Sequence, residues 1–184
     1  MFVLLFVAGC GGEVESRYGE PVRPGSASAP GERVYTAYHS IEVVAVTMPS
    51  YAANEEIYVK STSGAISPLG PLWTDLPERA VTLQLARDLR TVTGALAAPE
   101  PWPFVEPADA RVDVRIEEFL AVPTGSFRMS GQFFVAPEVE GRNRSGQFSI
   151  DAPLTGDGGP AEIARARSRA VSKLAVEIAR NGLR

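Results

Sequence analysis

The chain has 184 residues, 45% hydrophobic and 22% charged, which supplies one ordinary core and leaves little for a second. A net charge of -4 and a pI near 5.1 speak against a nucleic-acid partner, which asks for a basic face to displace counterions from phosphates. The lone cysteine, Cys10, excludes an intrachain disulfide and a thiolate metal cluster, and the lone histidine, His39, leaves a histidine-based metal site or a Ser-His-Asp triad short of parts.

The apolar run from Phe2 to Ala8 closes in Val7-Ala8-Gly9-Cys10, the pattern of a bacterial lipobox. In such a signal the cysteine thiol gains diacylglycerol, the peptide is cut before the cysteine, and the new amine is acylated. Residues 1–9 are then a signal peptide, too short to span a bilayer, and Cys10 is the lipidation site. Two or three acyl chains anchor a protein firmly, at about 0.8 kcal/mol per buried methylene. These covalent groups are the only non-protein chemistry expected; no cofactor and no metal are. Residues 10–33, rich in Gly, Pro, Ser, Glu and Arg, read as a flexible tether, and residues 34–184 as a single folded domain.

Within that domain residues 41–48 are rich in β-branched side chains and read as a strand ended by Pro49-Ser50. Residues 56–60 form a second short strand. After a turn at 61–64, residues 65–69 return beside it until Pro68, Gly70 and Pro71 break the pairing. A helix follows, capped by Thr74 or Asp75, with Pro77 in its first turn and Glu78 favourable to its dipole. Val81, Leu85, Leu89, Val92 and Leu96 make one stripe that faces the sheet. Leu76, Ala80 and Leu83 fall on the opposite side, where the helix meets a second surface or stays partly exposed.

Residues 99–107 (PEPWPFVEP) hold too many prolines for a helix or central strand and form a loop carrying Trp102 and Phe104. The two rings either display a docking site or fold back over the edge of the core, and large aromatics favour the second arrangement. Three strand-like runs come next, 111–122, 126–136 and 145–152. The middle one alternates, with Phe127, Met129, Phe133 and Val135 on its packed side. In the first, Val112, Val114 and Ile116 share one phase while Phe119 and Ala121 hold the other, which calls for a bulge near Glu117-Glu118. The last helix opens at Pro160 and ends near Asn181-Gly182, with glycine in a left-handed cap. Its inner stripe is Ile163, Ala166, Ala170, Val171, Leu174 and Ile178, and its outer face, with Arg165, Arg167, Ser168, Arg169 and Lys173, is basic. The fold class is therefore α+β, an antiparallel or mixed sheet with two amphipathic helices packed on one face.

No constellation for catalysis stands out. Adjacent Glu117 and Glu118 point to opposite faces of a strand, the wrong arrangement for a cooperating acid and base. The run 155–159 (TGDGG) lacks the Gly-Lys-Ser/Thr ending of a phosphate loop and reads as a turn. Arg142 and Arg144 at a hairpin tip suit lipid head groups or an acidic patch on a partner, or are plain solvated charges.

The segments 41–51 (IEVVAVTMPSY), 56–59 (EIYV) and 72–79 (LWTDLPER), the last leading into a helix, resemble the ABC-type transport auxiliary lipoproteins that serve Pqi-like MCE systems. The later strand pair and the terminal helix extend the resemblance over nearly all of the chain beyond the tether. It implies a non-enzymatic lipoprotein on the periplasmic face of the outer membrane, partnered with an MCE-domain protein and ABC transporter subunits in moving phospholipid or other lipids. On the family's account Tyr51 and Trp73 are partner-facing or structural. Candidate partner contacts are therefore Tyr51, Trp73, Trp102, Phe104, Arg142 and Arg144, and a homo-oligomer would use the second face of the first helix. The competing reading is an outer-membrane biogenesis lipoprotein that braces a β-barrel.

Overall fold

The computed structural model describes residues 15–19, 30–138 and 140–184; the signal segment, Cys10 and much of the expected tether lie outside the described residues. In chain order the strands are β1 (Arg17–Tyr18), β2 (Ser40–Val43), β3 (Glu56–Lys60), β4 (Ile66–Trp73), β5 (Leu96–Pro99), β6 (Ala110–Val122), β7 (Ser126–Pro137) and β8 (Arg144–Pro153). The helices are α1 (Pro77–Thr93), between β4 and β5, and α2 (Pro160–Asn181), after β8.

The mixed eight-stranded sheet branches from β6. Along one edge β6 pairs antiparallel with β7 over its whole length, and β7 pairs antiparallel with β8. Its other edge is shared: β2 runs parallel to residues 110–112 and carries β5 outside it, while β3 meets Ala121 and carries β4 and then β1. The first and last thirds of β6 thus build two separate wings. Both helices cover one face, α1 over β2 and β5 and α2 over β7 and β8, and they touch each other.

The alternation of β7 is realised as expected, with Phe127, Met129, Phe133 and Val135 all buried beneath the helices. The expected bulge in β6 is present as a register shift between Ile116 and Glu118, so Phe119 and Ala121 join Val112, Val114 and Ile116 in the core. Opposite it, Gly131 approaches the β6 backbone so closely that an added Cβ would stand 2.1 Å from the Arg115 carbonyl oxygen.

Several local expectations are corrected. The strand read over 41–48 stops at Val43; the Val46 amide turns to the Thr82 hydroxyl, and pairing resumes only at Thr47 beside Arg115. Pro68, Gly70 and Pro71 do not end β4, because along most of its length β4 pairs on one side only and a proline there gives up no ladder bond. Neither Thr74 nor Asp75 caps α1: Leu76 occupies the cap position without a side-chain bond, and Asp75 pairs with Arg79 instead. Gly94, at φ 77°, ends α1 in the left-handed conformation, so Leu96 belongs to β5 and is 39% exposed. Gly182 after α2 is at φ -111°, outside that conformation.

The outer face of α2 is also less basic than its sequence suggests. Arg167 and Ser168 are buried, because α2 packs against α1 as well as the sheet, and the Arg167 guanidinium lies 4.7 Å from the centre of the Trp73 ring. The seam between the helices is polar. Gln84 donates to the Ser168 carbonyl (2.8 Å), and the Ser172 hydroxyl (2.7 Å) and Gln84 amide (3.2 Å) both donate to Asp88, whose carboxyl burial pushes above its ordinary pKa. Two pieces of the segment read as tether are held by the domain: β1 lies along β4, and Glu32 makes a two-pronged ion pair with Arg180 on α2.

Candidate functional site

The long axis of β6 sorts the candidate residues. Its first residues meet β2 and the end of β7 at one end of the molecule, and its last residues meet β3 and the start of α2 at the other, about 40 Å away at the ordinary rise per residue. Asp109 builds the first end. Its carboxylate accepts the amides of His39 (2.7 Å) and Ser40 (3.2 Å), its own amide donates to the Ser40 hydroxyl (2.9 Å), and its carbonyl accepts the Glu138 amide (2.8 Å). One residue therefore ties the starts of β2 and β6 to the end of β7, and the backbone donors hold its carboxyl below the usual carboxylate range. His39 is near this node, 3.5 Å from the Asp109 carboxylate, with its ring almost fully in solvent.

The proline-rich loop leaves β5 and returns to β6 at this end. The Trp102 indole donates to the Glu106 carbonyl (2.8 Å), which closes the loop on itself, and the Phe104 ring packs edge-on against Trp102 at 5.1 Å. The rings do not fold into the core: Trp102 is half-buried, Phe104 is 47% exposed and Val105 beside it is 97% exposed. Together with exposed Leu76 and Leu96 they give the α1 and β5 side of the molecule an apolar character. A shallow groove of about 390 Å³ between α1 and the end of β5, lined by Leu76, Thr82, Leu83, Pro99 and Glu100, lies on the same side. Leu76 is exposed and Ala80 and Leu83 are half-buried, so the second face of α1 is only partly covered within the described residues.

Arg142 and Arg144 are exposed at the β7 to β8 hairpin, also at the Asp109 end. They are not brought to the aromatic loop. Four strand spacings, about 19 Å, separate β8 from β5.

Tyr51 and Trp73 have structural positions. The β6 bulge takes the Phe119 amide out of the ladder, and the Tyr51 hydroxyl accepts it at 2.8 Å; burial raises the pKa of that hydroxyl. Trp73 is 1% exposed and edge-on to Phe119 and Phe127, so its ring lies inside the fold. Sequence reasoning missed Val105 and the Asp109 node. The spacing of Asp109 to Ser40 carries no local pattern, because the partners are 69 residues apart.

No group of three or more His, Cys, Asp or Glu side chains is placed to hold a metal ion, and no helix is long and apolar enough to cross a membrane, both among the described residues. The sheet face away from the helices carries charges satisfied in pairs, such as Arg128 with Asp151 and Arg115 with Asp113.

Two solved structures share the fold. One, an uncharacterized protein, is 15% identical with a TM-score of 0.69, over 90% of this chain and 98% of its own. The other, protein XCC0632 from Xanthomonas campestris, is 14% identical with a TM-score of 0.67, over 90% of this chain and 93% of its own. No curated protein matches the sequence. The family model described as ABC-type transport auxiliary lipoprotein component matches residues 21–179, so the chain belongs to that family.

Proposed function

We propose that the protein is a non-enzymatic docking component of an MCE-type ABC lipid transport system, held on the periplasmic face of the outer membrane by acylated Cys10. The observation that carries this reading is the polarity of the molecule. β1, seven residues after Cys10, lies in the wing attached to the last third of β6, while the exposed aromatic loop stands at the first end of β6. An anchored domain of this family with Phe104 and Val105 presented away from the anchor is suited to meeting the periplasmic end of a lipid-conducting assembly. Exposed large apolar side chains near one another mark association surfaces better than scattered charges do. Membership in a transport auxiliary family supports a binding role over a catalytic one.

The test is affinity isolation of the carboxy-terminally tagged protein from gently solubilised envelopes after in-cell cross-linking, with mass spectrometry of the captured proteins. Recovery of an MCE protein with ABC subunits supports the proposal. Recovery of a β-barrel instead transfers the protein to outer-membrane biogenesis, and recovery of neither contradicts a docking role.

A further inference from the structure

From Ser61 to Thr74 the chain has no charged side chain, in a protein with 22% charged residues. This run is at the surface. Residues 66–70 of β4 are exposed, with Ile66 at 41% and Leu69 at 39%, and the outer edge of β4 is open among the described residues until Leu72 meets Arg17 of β1. An open, uncharged, partly apolar edge is a site for another molecule.

The edge itself decides what kind of molecule. Pro68 and Pro71 have no amide hydrogens, and Gly70 at φ 107° departs from strand geometry, so an added β-strand would lose donors where it needs them. The same substitutions lower the cost of drying this edge, because fewer amides lose water. A lipid interface therefore fits better than a protein strand.

Chain length says which lipid interface. β1 runs parallel to β4 with Arg17 opposite Leu72, and the Ser16 carbonyl accepts the Leu72 amide at 2.9 Å. Glu15, the residue before it, therefore lies on the side of Leu72 toward Leu69 and Ile66. Between Cys10 and Glu15 the chain reaches at most about 17 Å, while Leu72 to Ile66 spans about 20 Å of strand. A lipid on Cys10 thus stays within about 17 Å of Glu15, a radius that includes the β3 to β4 hairpin. The hairpin also borders an open groove of about 590 Å³ whose apolar lining includes Val59, Leu69, Pro71, Val122, Leu154 and Ile163.

We infer that the β4 edge is a membrane-contact surface, with Ile66 and Leu69 seated in the interfacial layer of the bilayer that holds Cys10. The inference rests on the reading of Cys10 as the lipidated residue. The depth is limited to the interfacial layer, because the remaining open carbonyls and amides of β4 still need water. Acting as a short leash, the N-terminal segment fixes which end of the domain faces the membrane.

The experiment uses the full lipidated protein in phosphatidylethanolamine and phosphatidylcholine vesicles. Acylation occupies the Cys10 sulfur, so Leu69→Cys or Ile66→Cys provides a single free thiol for an environment-sensitive fluorophore, with Ser145→Cys on β8 as the reference. The expected result is blue-shifted emission at both β4 positions, quenched by lipids bearing a nitroxide near the head group, with neither effect at Ser145→Cys. Mass spectrometry of the Cys10 peptide reads lipidation separately. An unmodified Cys10 overturns the anchor and the inference together. A lipidated protein whose β4 labels match the reference overturns the contact surface alone.

Discussion

At the scale of single residues, Tyr51 and Asp88 do opposite things with buried polarity. The Tyr51 hydroxyl satisfies the amide that the β6 bulge releases, so Tyr51→Phe leaves the Phe119 amide without its acceptor. The expected loss is about 1–3 kcal/mol, the cost of a buried donor left unmade, and it is read as a lower midpoint in denaturant without a change in slope. Asp88 is held by Ser172 and Gln84 but is desolvated strongly enough that its carboxyl stays above the ordinary range. An acid with a raised folded pKa binds more protons folded than unfolded, so the protein loses stability as pH rises from the ordinary carboxylate range through the folded value. Asp88→Asn removes that titration. The stability of the natural protein relative to Asp88→Asn is therefore expected to be greater near pH 4 than at pH 7 in paired thermal melts, and the reverse order would contradict the assigned direction.

At the scale of elements, the bulge binds β6 and β7 together sterically as well as through hydrogen bonds. Gly131→Ala would press a methyl group onto the Arg115 backbone, and the expected destabilisation is about 1–3 kcal/mol or more, read from chemical unfolding. The three long strands were legible in the sequence to within a residue or so, since period-2 alternation in β7 and the phase change in β6 are local patterns with one physical cause. β5 was not legible: Leu96 continues the helical spacing from Val92, and only the left-handed Gly94 separates the two elements. The return strand read over 65–69 is the first part of β4, whose continuation to Trp73 was hidden by prolines that an edge strand tolerates, and β1 was hidden by its two-residue length inside a polar, glycine-rich stretch. The burial of Arg167 and Ser168 depends on how α1 and α2 meet, which helical periodicity alone does not specify. Of the candidate site, the aromatic loop was legible from its prolines, whereas the outward setting of Phe104 required the fold.

At the scale of the whole molecule, β6 sets two ends, with β1 and the β4 edge at one and the Trp102-Phe104 loop at the other. On the proposed function this arrangement separates membrane attachment from partner docking, so changes at one end should leave the other working. Phe104→Ala alters an exposed side chain and is expected to change stability by less than about 0.5 kcal/mol while weakening recovery of transporter subunits. The most direct test of the docking end places a photo-activated cross-linking residue at Phe104 in cells, with the same residue at Gln147 on exposed β8 for comparison. The account predicts that position 104 captures an MCE protein and position 147 does not; capture at 147 alone, or at neither position, would contradict it.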